Sequence, residues 1–289
     1  MAKASTGPMS VQAADRVDPI RRAKSVYGAV IRNAFLDMLA YRLRYFTGII
    51  TYLLFVSVHY FIWTAVFAAR ESNATINGFT LPEMVTYVSI GWIARSLYFS
   101  NIDYEINELV RSGQVSVYLL RPVNFHLLLV AQAAGETLFR LLFFTVPISG
   151  VILWLFPVEL PASLGHFAWF LAATVMSFLI LAEVNFITGL CAFWFKSIDG
   201  VMRAKYFLVQ ILSGLLLPLS FFPGWLQTVV ELLPFKTISY LPLQLYLGKV
   251  PLDEAPTVLF EQLCWWVALG MLSYFVWRRA VRVLTLQGG

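Results

Sequence analysis

The chain has 289 residues, of which 59% are hydrophobic and only 13% charged, about half the charged share of a typical soluble domain, roughly 25%. A water-soluble fold is excluded, because 24 Phe and 9 Trp would have to be hidden behind too little polar surface. A sequence pI of about 9.2 does not point to nucleic acid, since Lys and Arg flank the apolar runs and form no patch with interleaved aromatics. A lipid bilayer, with its headgroups, is the partner this distribution suits.

In chain order, a small polar leader over residues 1–20 reads as disordered. From Arg21 to residue 45, Ile31, Phe35 and Met38 recur at helical spacing among Arg32, Asp37, Arg42 and Arg44. That pattern predicts an amphipathic helix in the membrane interface. No cleavable signal peptide precedes the first apolar run, which is expected to stay as an anchor. A hydrocarbon crossing takes about 20 apolar residues in a helix, because no water is present to satisfy the backbone. Six stretches qualify: Phe46 to Ala68, Met84 to Asn101, Leu127 to Phe156, Leu164 to Phe195, Tyr206 to Phe222, and Val258 to Trp277. The predicted fold is therefore all-α and polytopic, with six transmembrane helices within residues 46–282 and a short tail over 283–289.

Cytoplasmic loops retain Lys and Arg. With the N-terminus inside, only Arg70, Lys236 and Lys249 of the 21 basic residues fall outside, while Arg95 and Arg140 fall within spans. Both termini are thus expected in the cytoplasm.

Two segments stand apart from the spans. Ile102 to Phe125 alternates Ile102, Ile106, Leu109 and Val110 with Asp103, Glu105, Glu108 and Arg111, which predicts a short amphipathic cytoplasmic helix. Gly113 is its expected stop, and Pro122 separates it from the third span. The apolar stretch from Phe222 to Pro251 is broken by Pro223, Gly224, Pro234, Pro242 and Gly248. It cannot form one spanning helix, and suits short helices that dip into the outer leaflet and return.

Catalytic and cofactor motifs are missing. There is no G-x-x-x-x-G-K-[S/T] phosphate loop, no H-E-x-x-H pair among His59, His126 and His166, and no G-x-S-x-G elbow. Cys191 and Cys264 match neither a metal nor a redox spacing. The tripeptide Asn73-Ala74-Thr75 matches a glycosylation acceptor but is common by chance. The unusual chemistry is charge inside spans, which costs about 2.5–3.5 kcal/mol per group at the membrane centre and so normally faces protein or water. Glu136 and Arg140 are four residues apart on one helix face and are expected to pair. Glu183 has no partner in its own span, leaving Arg140 or Arg95 from another helix, or a polar pathway. An ion-coupled carrier using Glu183, Arg140 and His59 as its relay is the alternative from another class, though the repeats such carriers contain are not evident.

One stretch is more specific. Leu109-Val110-Arg111-Ser112-Gly113-Gln114-Val115, followed by Tyr118-Leu119-Leu120-Arg121-Pro122-Val123-Asn124, resembles the "I-x-x-G-x-L-x-x-x-L-L-R-P-x-N" signature of bacterial six-span type-2 ATP-binding-cassette (ABC) transporter permeases. Here Val115 stands where Leu is usual. Pro218-Leu219-Ser220-Phe221-Phe222-Pro223, Leu233-Pro234-Phe235, Tyr240-Leu241-Pro242 and Tyr246-Leu247-Gly248 are similar to a second family pattern, and the likeness runs from about Ser25 to Arg282. The resemblance implies a non-enzymatic permease in a bacterial inner membrane, exporting an amphipathic or lipid-linked substrate. It also implies a second permease, identical or related, and a separate ATPase subunit that binds ATP and Mg. By the same resemblance Glu105, Ile106, Glu108, Leu109, Val110, Arg111 and Arg121 would touch that ATPase, as would the helix before the first span. Pro223, Pro234 and Pro242 would belong to the outer gate.

Overall fold

The structure is a computed structural model that describes residues 19–40, 43–69, 75–195 and 197–287. The leader before Pro19, Asn73 and Ala74 of the acceptor tripeptide, and the last two residues lie outside the described residues. Among the described residues the regular structure is helical, apart from one isolated bridge between Ile76 and Phe79. The main helices are α1 Pro19–Ala40, α2 Leu43–Ala68, α3 Leu81–Tyr98, α4 Ile102–Arg111, α5 Val115–Leu119, α6 Phe125–Arg140 and α7 Val146–Leu155. They continue with α8 Leu164–Leu190, α9 Asp199–Leu212, α10 Gly224–Glu231, α11 Tyr240–Tyr246 and α12 Ala255–Gln287.

Four helical runs are long and apolar enough to cross a membrane: Gly48–Ala68, Phe125–Leu155, Leu164–Phe193 and Ala255–Val283. The third of these is the hub, with 56% of its apolar window buried against 11% for the first. Helix α8 packs against α12, α4, α11 and α3. The second long run is not uniform. Between α6 and α7, residues Leu141–Thr145 form a π-helical segment, and the next residue but one is Pro147. Proline cannot donate to the carbonyl one turn back, and a wider local register absorbs that loss.

The two other expected spans are shorter. The first of them, α3, has 18 residues and so rises about 27 Å, yet it is buried along most of its length, with Tyr87, Met84 and Ser89 fully enclosed. A capping box sets its start: Thr80 accepts from the Glu83 N–H while the Glu83 carboxylate accepts from the Thr80 N–H at 2.8 Å. The stretch Tyr206 to Phe222 is not one helix, because α9 ends at Leu212. Gly214 there takes φ +80°, a left-handed turn that terminates helices, and its carbonyl accepts from the Tyr87 hydroxyl at 2.7 Å. The chain then closes onto α11 through the Tyr240 N–H and the Ser213 carbonyl at 2.9 Å.

The proline-rich segment resolves into short pieces. A 3-10 turn at Leu219–Phe221 precedes α10, and another at Pro234–Thr237 precedes α11. Pro223 caps α10, Pro234 opens its turn and Pro242 sits in the first turn of α11, positions where a missing N–H costs nothing. Buried Gln262 on α12 pins this segment by donating to the Thr237 carbonyl at 2.8 Å and the Ala173 carbonyl at 3.0 Å.

Candidate functional site: coupling face and buried charges

Helix α4 forms over the expected residues and stops at Arg111, where the Ser112 hydroxyl bonds the Glu108 carbonyl at 2.7 Å. Its apolar side faces the bundle. Ile102, Ile106 and Leu109 are buried with Val115, Phe125, Phe186 and Leu190. The fit is tight at Gly189 of α8, where a Cβ would lie 2.8 Å from Ile106 Cδ1 and 3.0 Å from the Asp103 Cα. Only a residue without a side chain lets the two backbones approach this closely. The Asp103 carboxylate, expected on the polar side, is buried at 2.8 Å from the Lys205 ammonium. Lys205 also donates to Asn185 Oδ1 at 2.6 Å, and the Asn185 amide donates to the Ser100 carbonyl at 2.9 Å. Helix α4 is therefore bound to both α8 and α9.

The surface left over differs from the one read off the sequence. Ile106 and Leu109 are interior, and Val110 is half-buried, so the outward groups are Tyr104, Glu108, Arg111, Val117, Leu120 and Arg121. Leu120 is 86% exposed, and the Arg121 guanidinium lies 4.7 Å from the Tyr118 ring centre. Glu105 turns instead toward a cleft it shares with Asp37, Gln132, Glu136 and Arg121. Asn33 and Asp37 of α1 line that cleft. Helix α1 also packs along α6, with Phe35 edge-on to Phe139 at 5.9 Å, and the Tyr27 hydroxyl accepts from the Asn124 N–H at 3.3 Å. Helices α1, α4, α5 and the start of α6 thus form one continuous assembly at one end of the bundle. Asn124 caps α6 by accepting from the Leu127 N–H at 3.0 Å, so the helix begins at Phe125, two residues before the expected start of the third span.

The buried charges find partners beyond their own helix, while Glu136 and Arg140 on α6 attract each other as expected. The Arg140 guanidinium reaches the Phe99 carbonyl and, at 2.8 Å, the Thr137 hydroxyl. Glu136 is half-buried in the cleft facing α1. Glu183 pairs with neither arginine: its carboxylate accepts from the Ser273 hydroxyl and lies 3.2 Å from His126 Nε2. That second approach lacks the alignment of a hydrogen bond. His59 of the carrier relay bonds the Phe55 carbonyl of its own helix at 2.8 Å, so Glu183 and His59 have separate partners. Arg95 is caged by aromatics, donating to the Tyr52 hydroxyl at 3.0 Å and the Tyr206 hydroxyl at 2.8 Å. Lys205, Asp103, His126 and Ser273 were not singled out as site residues. Their partners are 20 to 102 positions away in sequence, beyond the reach of helical spacing.

At the opposite end, Lys249 bonds Glu83 at 2.9 Å and the Gly78 carbonyl at 2.7 Å, and Lys236 bonds Glu261 at 3.0 Å. Burial pushes the Glu83 carboxyl up, but Lys249 and the Thr80 N–H outweigh it and hold the group below its ordinary value. These pairs join the proline-rich segment to the first turn of α3, ahead of the apolar run from Met84, and to the first turns of α12. Pro223 is exposed, whereas Pro234 and Pro242 are buried.

A family model described as "ABC-2 family transporter protein" matches residues 53–288. No curated protein and no solved structure gives a significant match.

Proposed function

Because the chain belongs to the ABC-2 transporter family and is a multi-pass permease of that kind, we propose that it exports an amphipathic or lipid-linked substrate, driven by a separate ATPase subunit. The observation that carries this reading is the coexistence of a rigidly seated α4 with the absence of any phosphate loop in the sequence. An exporter needs an energy source, and this chain carries a surface able to receive one. In this reading ATP and Mg reside on the partner, which meets Glu108, Arg111, Val117, Leu120 and Arg121. The interior Ile106 and Leu109 and the half-buried Val110 hold that surface in place, and Glu105 faces the cleft beside α1. Helix α1 lies in the cytoplasmic interface against α6.

The same reading places both termini in the cytoplasm of a bacterial inner membrane. Helices α3 and α9 would complete six passes, with the buried turn after Leu212 finishing the fifth. Two copies, or this chain and a related one, would enclose the path, and the segment holding Pro223, Pro234 and Pro242 would close its outer end. The deciding experiment is gentle purification of the tagged chain from its own cells. A soluble ATPase should come with it, and substrate transport should follow ATP. Transport by this chain alone, driven by a proton or sodium gradient, would reject the proposal.

A further inference from the structure

Arg95 is left unexplained by coupling. It is only 8% exposed, it cannot shed its charge, and a buried cation without a counter-ion is expensive. Tyr52 and Tyr206 take two of its N–H groups, and among the described residues no carboxylate lies within ion-pair distance of it. Its side chain lines a small cavity with Ser100, Asn185 and Lys205. Phe99, Lys205 and Tyr206 continue that wall into an open cleft of about 730 Å³, which Arg203 also lines. The single carboxylate in either lining is Asp103, already bound to Lys205 at 2.8 Å. The space is therefore positively charged without local compensation.

Part of its wall is apolar. Leu181, Val209 and Leu215 line the inner part, Phe207 lines the open cleft, and beside it on α9, outside the lining, Leu208 is 53% exposed. A small soluble anion has no use for that surface, whereas an acyl chain does.

We propose that this cleft binds the phosphate headgroup of an anionic amphiphile, with Arg95 and Arg203 on the phosphate and the hydrocarbon lying along Phe207 and Leu208. Charge-assisted contacts to a guanidinium are the strong class of hydrogen bond, and Arg95 is held by its tyrosines before the ligand arrives, so little ordering is lost on binding. This deepens the export reading by naming the headgroup class of the substrate; the binding itself does not depend on the ATPase.

The test uses the purified full chain without any ATPase, exchanged into mixed micelles of phosphatidylglycerol and phosphatidylcholine, with retained lipid counted by native mass spectrometry. Phosphatidylglycerol should be retained preferentially. Arg95→Gln should lower that preference about tenfold, with Arg95→Lys less affected and Arg203→Gln intermediate. Equal retention of the two lipids, or a folded Arg95→Gln with undiminished preference, would overturn the proposal. So would binding of inorganic phosphate with no preference for phosphatidylglycerol, which would mark a soluble-anion site. If Arg95→Gln does not fold, a photoactivatable phosphatidylglycerol on the unaltered chain decides: labelling within α9 supports the site, and labelling elsewhere removes it. Failure here leaves the ATPase co-purification untouched, and failure of that co-purification leaves this binding untouched.

Discussion

Gly189→Ala is the sharpest probe of how α4 is held. The added methyl would meet Ile106 Cδ1 at 2.8 Å, Ile106 Cβ at 2.9 Å and the Asp103 Cα at 3.0 Å. The δ-methyl of Ile106 can rotate away, but its Cβ and the Asp103 backbone cannot. Carbon atoms rest at about 3.5–4.0 Å, so α4 must lift from α8 by roughly half an ångström. Overpacking of this kind costs about 1–3 kcal/mol, offset by up to about 1 kcal/mol of helix propensity gained over glycine. A net loss of about 0–3 kcal/mol is expected. Lifting α4 also strains the Asp103–Lys205 pair at 2.8 Å, so the mechanical effect should exceed the thermal one. Gly150→Ala is the control, because nothing lies within 4 Å of a Cβ there. The assay is the melting temperature of each variant together with substrate-stimulated ATP hydrolysis after reconstitution with the partner subunit. Gly189→Ala should melt earlier than Gly150→Ala and lose most of the stimulation. If the two variants melt alike and stimulate alike, the seat of α4 on α8 does not govern coupling.

Leu109 and Leu120 should separate folding from partner contact. Leu109→Asp buries a charge in the α4–α8 interface and should reduce folded protein in the membrane, whereas Leu120→Asp, at a position 86% exposed, should leave abundance normal and weaken ATPase co-purification. Topology is checked by single cysteines in a background lacking Cys191 and Cys264. Asp253→Cys should react with an impermeant reagent added outside and Ser112→Cys should not, and the reverse pattern would invert the orientation. The Glu83 carboxyl is held below its ordinary value of 4.5, so its contribution to stability is complete above that pH and disappears as pH falls through the lower folded value. Glu83→Gln should therefore melt earlier than the parent near neutrality, with the gap closing in acid; a gap that stays constant as the pH falls would show that charge pairing with Lys249 is not its origin.

Much of the architecture is written in local pattern. Apolar runs of about 20 residues bounded by basic loops mark helices wherever they occur, because a backbone in hydrocarbon has no other way to satisfy itself. The four long helices, the stop of α4 at Arg111 and the division of the proline-rich segment all follow from residues within a turn or two of one another. The same local reading ran α9 too far. Ser213 to Phe222 is apolar enough to extend a helix, and it is the contact between Tyr87 and Gly214, 127 residues apart, that holds the turn.

Which way a face points, and whom a charge meets, was decided by the fold. Amphipathic spacing identified both sides of α4, but could not say that the apolar side was already taken by Gly189 and Phe186 of the same chain. Partners on other helices are out of its reach for the same reason. Helical spacing places Arg140 beside Glu136, and the two attract each other, but only tertiary packing adds Phe99 to Arg140 and sets Glu183 against His126 and Ser273 and Asp103 against Lys205. A sequence records which helices a residue can belong to, since backbone hydrogen bonding is local. Pairing between charges depends on where separate helices come to rest, and in this bundle that is set by close contacts such as the one at Gly189.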